Sequence, residues 1–392
     1  MPALIAALCL VIALVGCICT VVEAVAVAAF GRRRRSAAEG SAAGEPGIGV
    51  TVVKPLHGAE PGLYENLLSF VAQDYQGSVQ LLFGVGDAAD PALGVVRRLQ
   101  LEFPRRDIEA VVSPRAADGN AKIANLDGMS GSIRQELIVM SDSDIRVAPD
   151  YLRRTVALLG QPGVGLVTWL YRGEGAGGTW ALLSAMAIDY HFFPSVLLGL
   201  KLGRGRPCVG ATMAFSRQTL GSIGGYAAFA NYLADDHAIG EAVRRTGLGV
   251  VTAPDLVVHR CVEGSAGALW QHELRWARTI RSIDPWGFAG SIVMHPLPFA
   301  LAAALLLGFD PLGSAALGAT LLCRLRLQWQ VDRMLADSGG ISLHRLLLGP
   351  LRDMLSFGVF CASFLTSAVV WRGRRYRVRA DGTVAELKDP GS

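Results

Sequence analysis

The sequence predicts an α/β protein, a mostly parallel sheet domain with transmembrane helices on its N- and C-terminal sides. Three observations carry this. Of 392 residues, 51% are hydrophobic and only 18% charged, against about 25% charged in a soluble domain. The apolar excess is gathered into runs near the two ends of the chain. Between them, short Val-rich runs alternate with amphipathic stretches, the signature of parallel strands covered by crossover helices.

Residues 3–30 are apolar, with Glu23 the only charge, and about 20 apolar residues cross a bilayer core. The run is too long for a signal-peptide core, and no Lys or Arg precedes it. Arg32, Arg33, Arg34 and Arg35 follow at once. By the positive-inside rule they act as a stop-transfer anchor, with the N-terminus outside and the following chain in the cytoplasm. The expected organisation is an N-terminal transmembrane helix at 1–31 and a basic stop-transfer segment and linker at 32–47. A cytoplasmic catalytic domain at 48–290, ending in an interfacial helix, is followed by a membrane region at 291–371 and a basic tail at 372–392.

Strands are expected at 49–55, 79–85, 108–112, 137–142 and 165–170. Helices are expected at 61–73, 91–103, 120–132, 149–160, 237–246 and 266–283. Pro61, Pro91 and Pro149 stand near three of the helix starts, where a missing N–H costs nothing. The apolar run 296–323 is broken by Asp310-Pro311, so it reads as one bent span, with a re-entrant hairpin as the alternative. A second C-terminal span is expected at 353–371, which makes three passes. Arg372, Arg374, Arg375, Arg377 and Arg379 then mark a cytoplasmic tail. On that topology Arg324, Arg326, Arg333, Arg345 and Arg352 fall outside, against the rule. Part of 324–352 therefore reads alternatively as an interfacial helix on the inner face.

Net charge is +4, from 37 basic and 33 acidic residues, too small a field to point to nucleic acid. Five of the seven cysteines lie in apolar stretches, and no CxxC occurs, which argues against a zinc cluster or redox pair.

Ligands of an open parallel sheet bind beyond the carboxyl ends of its strands, so acids just after strands are the candidates. Asp87 follows the second strand, with Asp90 nearby, and Asp142 and Asp144 leave the fourth as MSDSDI. Two hard carboxylates suit Mg2+ or Mn2+ with most of the shell left to phosphate oxygens; the competing reading is an Asx turn before Pro149. Asp235-Asp236 open a helix, where acids also simply favour the dipole. Asn120, Lys122 and Asn125 open another, with Lys122 either meeting a phosphate or standing as a solvated cation. His272-Glu273-Leu274-Arg275-Trp276 lies in the amphipathic stretch 266–283, where Arg and Trp are also ordinary interface anchors. His191, Asp255 and His259 read as structural.

This order of motifs resembles glycosyltransferase family 21, the ceramide glucosyltransferase-like enzymes, and most nearly their hopanoid-biosynthesis-associated branch. The likeness rests on VTVVKPLHGAEPGL at 50–63, GDAADPA at 86–92, NAKIANL at 120–126, SDIRVAPD at 143–150, ADDHAIG at 234–240 and WRGRRYRV at 371–378. The family's (Q/R)xxRW motif has His272 in its first position here. The resemblance implies a GT-A-like, Rossmann-like sheet domain and an inverting, metal-dependent transfer from a UDP-sugar to a lipid alcohol. It implies that Asp87 contacts the uracil or ribose and that Lys122, Asp142 and Arg275 serve the donor. Asp144 with Asp142 would hold Mg2+ or Mn2+, Asp236 would be the general base, with Asp235 in the less constrained place, and Arg275 and Trp276 would close over diphosphate and acceptor. The reading it favours is N-acetylglucosamine from UDP-GlcNAc to bacteriohopanetetrol, at the cytoplasmic face of a bacterial inner membrane. Ceramide glucosylation from UDP-glucose is the alternative, and a processive polysaccharide synthase the third reading.

Overall fold

A computed structural model of the chain describes residues 1–39, 47–113, 119–335, 342–366, 368–371, 374–378 and 383–386. In chain order the elements begin with α1 (Pro2–Glu39), β1 (Val50–Pro55), α2 (Leu63–Val71), β2 (Val79–Val85), α3 (Ala92–Glu102), β3 (Asp107–Val112) and α4 (Ala121–Met129). They continue with β4 (Leu137–Ser141), β5 (Ile145–Arg146), α5 (Tyr151–Leu159), β6 (Val164–Gly175), α6 (Thr179–Ala187), α7 (Phe193–Lys201) and β7 (Thr212–Ser216). Then come α8 (Arg217–Ser222), α9 (Asp235–Arg245), β8 (Gly249–Cys261), α10 (Ala266–Ile283), α11 (Pro285–Gly290) and α12 (Pro296–Leu306). The last are α13 (Pro311–Leu335), α14 (Leu343–Ser363), β9 (Ala368–Trp371), β10 (Arg374–Val378) and β11 (Val384–Glu386).

The chain divides into two compact units. One comprises Ser36–Gly177, Pro207–Val262 and Arg374–Ser392, and the other Met1–Arg35, Gly178–Arg206 and Glu263–Gly373. This differs from a single domain over 48–290: Gly178–Arg206 and the residues from Glu263 on group with the apolar helices.

The first unit is built on an eight-stranded sheet in the order β3-β2-β1-β4-β7-β6-β8-β5. β1 runs parallel to β2 and β4, β2 to β3, and β6 to β8. β7 is antiparallel to both β4 and β6, and β5 antiparallel to β8. β1 and β4 are buried along their whole length, as a strand covered on both faces must be. Leu82, Ile123, Leu126, Ile138, Met213 and Phe215 belong to one core that joins α4 to the sheet. Gly84 lets α4 come close: a Cβ there would stand 2.1 Å from Asn125 Oδ1. Asn125 Nδ2 donates to the Gly84 carbonyl at 2.9 Å.

The second unit holds the apolar helices. Pro2–Ala37, Thr179–Lys201 and Leu343–Ser363 are each long and apolar enough to cross a membrane, and Pro285–Met294 with Pro296–Leu306 forms a further pair bent by 55°. α1 leaves Leu4, Leu8, Val11, Leu14 and Ile18 exposed, the face a helix offers to lipid. Its opposite face packs closely at Gly16, where a Cβ would meet the Val293 carbonyl at 2.4 Å. Buried Glu23 accepts a hydrogen bond from Ser195 Oγ at 3.1 Å.

Three expectations for this unit are corrected. The span placed at 353–371 begins ten residues earlier, as α14 at Leu343–Ser363. The run 296–323 is not one bent span: α12 and α13 separate at Asp310 and pack together, so that a Cβ on Gly313 would lie 2.9 Å from Ala304 Cα. They form a helical hairpin. Thr179–Lys201 was not foreseen, because Asp189 and His191 interrupt its apolar pattern. The arginines that conflicted with the topology rule are mostly paired. Arg324 bonds Asp353 at 2.7 Å, Arg345 bonds Asp189 at 2.5 Å and Arg352 bonds Glu273 at 2.6 Å, so they do not act as loose loop charges. Part of the expected basic tail forms β10 and β11, paired antiparallel; Arg372 and Arg379 lie outside the described residues.

Candidate active site

The carboxyl ends of β1, β2 and β4 and the N-termini of α4 and α9 supply the candidate residues of the sheet unit. Asn120 is the organising residue. Its Oδ1 caps α4 by accepting from Lys122 N–H at 2.9 Å and Ile123 N–H at 3.2 Å, a contact generally worth about 1 kcal/mol. Its Nδ2 donates to the Tyr232 carbonyl at 3.0 Å and to Asp235 Oδ1 at 3.2 Å. One buried amide thus ties the start of α4 to the start of α9.

Lys122, in the first turn of α4, is held over the acids by this arrangement. Its Nζ lies 2.6 Å from Asp142 Oδ1, 3.6 Å from Asp235 Oδ2 and 3.5 Å from the Gly210 carbonyl. Burial opposes its charge, but Asp142, Asp235 and Asp236 outweigh that and hold the ammonium above the usual lysine range. Burial pushes the Asp142 carboxyl up, and Asp144 adds to this, against the pull of Lys122.

Asp142 and Asp144 sit on the turn between β4 and β5. The turn closes with the Ile145 N–H donating to the Asp142 carbonyl at 3.4 Å. Asp144 Oδ2 lies 3.2 Å from His259 Nε2. Burial disfavours the imidazolium, yet Asp144 beside it holds His259 well above its ordinary pKa. His259 therefore faces a candidate metal carboxylate, whereas the sequence reading left it structural. Its position follows from the β5–β8 pairing, Ile145 opposite His259, which no local motif discloses.

Asp235 and Asp236 divide their work. Asp235, expected to be the less constrained, is the more buried, at 7% exposure, and is engaged by Asn120 and Lys122. Asp236 is half-buried, and both its oxygens accept backbone hydrogen bonds, Oδ2 from Gly210 N–H at 2.8 Å and Oδ1 from His237 N–H at 2.7 Å. Burial, reinforced by Asp235, pushes its carboxyl up to about 6.

Asp87 is exposed at the end of β2, with Oδ1 accepting from Ala89 N–H at 2.9 Å. Asp90 is structural: it accepts from Gly58 N–H and Ala92 N–H, each at 2.9 Å. Sequence reasoning also missed Lys54, a fully buried lysine near the end of β1 whose Nζ donates to the Asp142 carbonyl at 2.7 Å. Burial lowers its pKa to about 7.

Arg275 and Trp276 belong to the other unit, on α10, which spans the expected Ala266–Ile283 and is capped by Ser265. His272 Nδ1 lies 2.5 Å from buried Glu263 Oε1, and its ring meets that of Trp276 edge-on at 4.4 Å. The helix packs through Leu269 and Glu273, while Ile280 is 47% exposed.

The candidate metal carboxylates pass a partial test. Asp142 and Asp144 are hard oxygen donors on one short turn, each paired with a protein cation. Among the described residues no group of three or more His, Cys, Asp or Glu is placed to hold a metal ion. Such a pair suits an ion that takes much of its shell from a diphosphate and water.

The model of glycosyl transferase family 21 matches residues 8–384. The chain belongs to this family. It is a nucleotide-sugar-dependent, membrane-associated glycosyltransferase. Ceramide glucosyltransferase 1 of Caenorhabditis elegans is 23% identical over 351 residues, covering 87% of this chain and 74% of that protein. Ceramide glucosyltransferase 3 of the same organism is 23% identical over 350 residues, covering 87% and 75%. Among solved structures, the family 21 chain resembles a mannosyltransferase of Pyrobaculum calidifontis in complex with GDP-mannose and Mn2+, at a TM-score of 0.46 and 19% identity, covering 90% of this chain and 99% of that one. TarS of S. aureus in complex with UDP-GlcNAc aligns at a TM-score of 0.38 and 11% identity, covering 87% and 99%. Likeness at this level carries no shared chemistry.

Proposed function

We propose that this family 21 enzyme transfers a sugar from a UDP-sugar to the hydroxyl of a membrane lipid, with inversion at the anomeric carbon. The observation that carries the reading is the meeting of Lys122, Asp142, Asp235 and Asp236 at the carboxyl side of the sheet. A cation held among carboxylates next to a candidate base is what a diphosphate leaving group and an acceptor hydroxyl require.

An inverting transfer is one in-line displacement. Asp236 takes the acceptor's proton as the new bond forms, a contribution of about 100- to 10,000-fold. Its two backbone hydrogen bonds fix the carboxylate's direction, and its raised pKa brings it closer to the working pH. Lys122 turns its charge to the donor diphosphate, Asp87 reads the uridine, and Arg275 and Trp276 of α10 act on the diphosphate and acceptor sides. Asp142 and Asp144 would hold Mg2+ or Mn2+, which neutralises charge on the departing UDP when bound.

Ceramide with UDP-glucose is the favoured substrate pair, because both long-matching relatives are named ceramide glucosyltransferases. The bacteriohopanetetrol and UDP-GlcNAc reading has no comparable support. Arg32–Arg35, near the C-terminal end of α1, favour the sheet unit on the cytoplasmic face of a multi-pass protein, in a bacterial inner membrane. The test is mass spectrometry of lipids made by the purified full chain in nanodiscs, supplied with UDP-glucose or UDP-GlcNAc and with ceramide or bacteriohopanetetrol. Glucosylceramide is the expected product. Glycosylated hopanoid alone would restore the other acceptor, and no lipid product from any pair would reject the reading.

A further inference from the structure

Lysines are almost never fully buried unless paired, yet Lys54 has 0% exposure in the middle of the sheet. It is the penultimate residue of β1, beside β4 in parallel register, with Val53 opposite Met140. Its ammonium donates to the Asp142 carbonyl at 2.7 Å, to Ser141 Oγ at 3.2 Å and to the Ile145 carbonyl at 3.4 Å. The face of Phe70, from α2, lies 3.8 Å away. Three acceptors and one aromatic face thus account for the buried head.

The acceptors are not scattered. Asp142 and Ile145 are the first and last residues of the turn that carries both candidate metal carboxylates, the turn already closed by Ile145 N–H on the Asp142 carbonyl. Lys54 holds the carbonyls at both ends of that turn and the last residue of β4 before it. A single rigid head group therefore sets the distance between the two ends, and with it the divergence of the Asp142 and Asp144 side chains. Outside the turn those side chains meet Lys122 and His259. The hydrogen bonds of Lys54 go to the backbone of the turn and to Ser141, while Asp144 and Asp142 act on its ammonium through their charge.

We propose that Lys54 is a positioning residue for the Asp142–Asp144 turn, setting the geometry in which the two carboxylates take a divalent cation together with a nucleoside diphosphate. This rests on the reading of Asp142 and Asp144 as the metal and diphosphate site. Loss of a partner that orients metal ligands weakens metal binding by about 10- to 100-fold, and that is the effect expected of Lys54→Met.

The experiment uses the full chain in detergent, with Mn2+ titrated by electron paramagnetic resonance in the presence of UDP, alongside thermal unfolding. Lys54→Met should bind Mn2+ at least about tenfold more weakly at temperatures well below its own unfolding. A lysine with a merely structural role would lower the melting temperature and leave the affinity of the folded protein unchanged, and that result overturns the proposal. If Lys54→Met does not fold, Ser141→Ala decides: removing one of the three acceptors should weaken Mn2+ binding by about threefold, and an unchanged affinity overturns the proposal. Wild-type protein that binds no Mn2+ with UDP present would overturn the reading of the site itself, and this inference with it.

Discussion

Lys122 Nζ lies 2.6 Å from Asp142 Oδ1, and the same ammonium reaches Asp235 at 3.6 Å. A lysine in this place has two competing duties: it neutralises the acids when no donor is bound, and it offers its charge to the diphosphate when one is. Lys122→Met should therefore weaken UDP binding by about 10- to 100-fold, the scale of a charge-assisted contact. Mn2+ binding without UDP should hold or strengthen, since Asp142 loses its competing cation. Calorimetric titration of UDP and resonance titration of Mn2+ separate the two. Parallel loss of both affinities would mean that Lys122 only supports the fold.

Asp236 gives a second, sharper test. Asp236→Asn keeps the shape of the side chain and should lower kcat by at least about 100-fold while UDP binding stays near normal. If donor binding fails instead, Asp236 is not the base. A carboxyl whose folded pKa is raised loses stability as pH rises through the folded value, so ionised Asp236 is a cost at pH 8. The asparagine, however, can accept only one of the two backbone hydrogen bonds and leaves the other N–H facing its amide nitrogen. The two effects oppose, and the melting temperature at pH 8 should change little.

The same raised pKa, about 6, fixes a pH dependence. Proton acceptance needs the ionised form, so kcat should fall as pH drops through about 6, approaching tenfold per pH unit below it. An unperturbed aspartate, half-ionised at about pH 3.9, would keep nearly full activity down to about pH 5. A profile flat from pH 7 to 5 on the wild-type enzyme would contradict the assignment.

The candidate site was legible where its signal is local. Asp142 and Asp144 announce themselves by leaving an apolar strand, Lys122 by opening the helix after the third strand, and Asp236 by standing at the start of a helical pattern. The sheet's early strands were legible for the same reason, as buried runs bounded by turns. His259 and Lys54 were not, because their roles arise from register: His259 reaches Asp144 only through the β5–β8 pair, and Lys54 reaches the turn only because β1 lies beside β4. In the apolar unit the charges misled. Asp189 and His191 hid the helices of Thr179–Lys201, and Arg345 and Arg352 read as loop cations when each is paired with a carboxylate.

Arg352 shows what such pairing is worth. It has 0% exposure and binds Glu273 through two contacts of 2.7 and 2.6 Å. Removing one partner of a buried pair leaves an uncompensated charge and costs about 3–5 kcal/mol, whereas replacing both with apolar residues is often neutral. Arg352→Met should lower the melting temperature in detergent substantially, and Glu273→Leu combined with Arg352→Met should recover most of the loss. A double variant no better than the single would show that the pair's geometry, rather than its charge balance, holds α10 to α14.

Glu273 shares its helix with Trp276, whose ring meets His272 edge-on at 4.4 Å, while His272 is held by Glu263 at 2.5 Å. The histidine that departs from the family's glutamine or arginine is thus a bracket between a buried carboxylate and an aromatic ring. An aromatic ring offers a large apolar surface at little entropic cost, which fits the acceptor side better than the diphosphate. Trp276→Ala should therefore reduce lipid glycosylation more than hydrolysis of the UDP-sugar by water, whereas Arg275→Ala should reduce both. Glu263→Gln should act in the same direction as Trp276→Ala but more weakly, because it loosens the bracket without removing the ring. The measurement is the ratio of glycolipid formed to UDP released without transfer, at saturating donor. A ratio unchanged in Trp276→Ala, with both activities falling together, would assign the tryptophan to the fold of α10 and leave acceptor recognition to other residues.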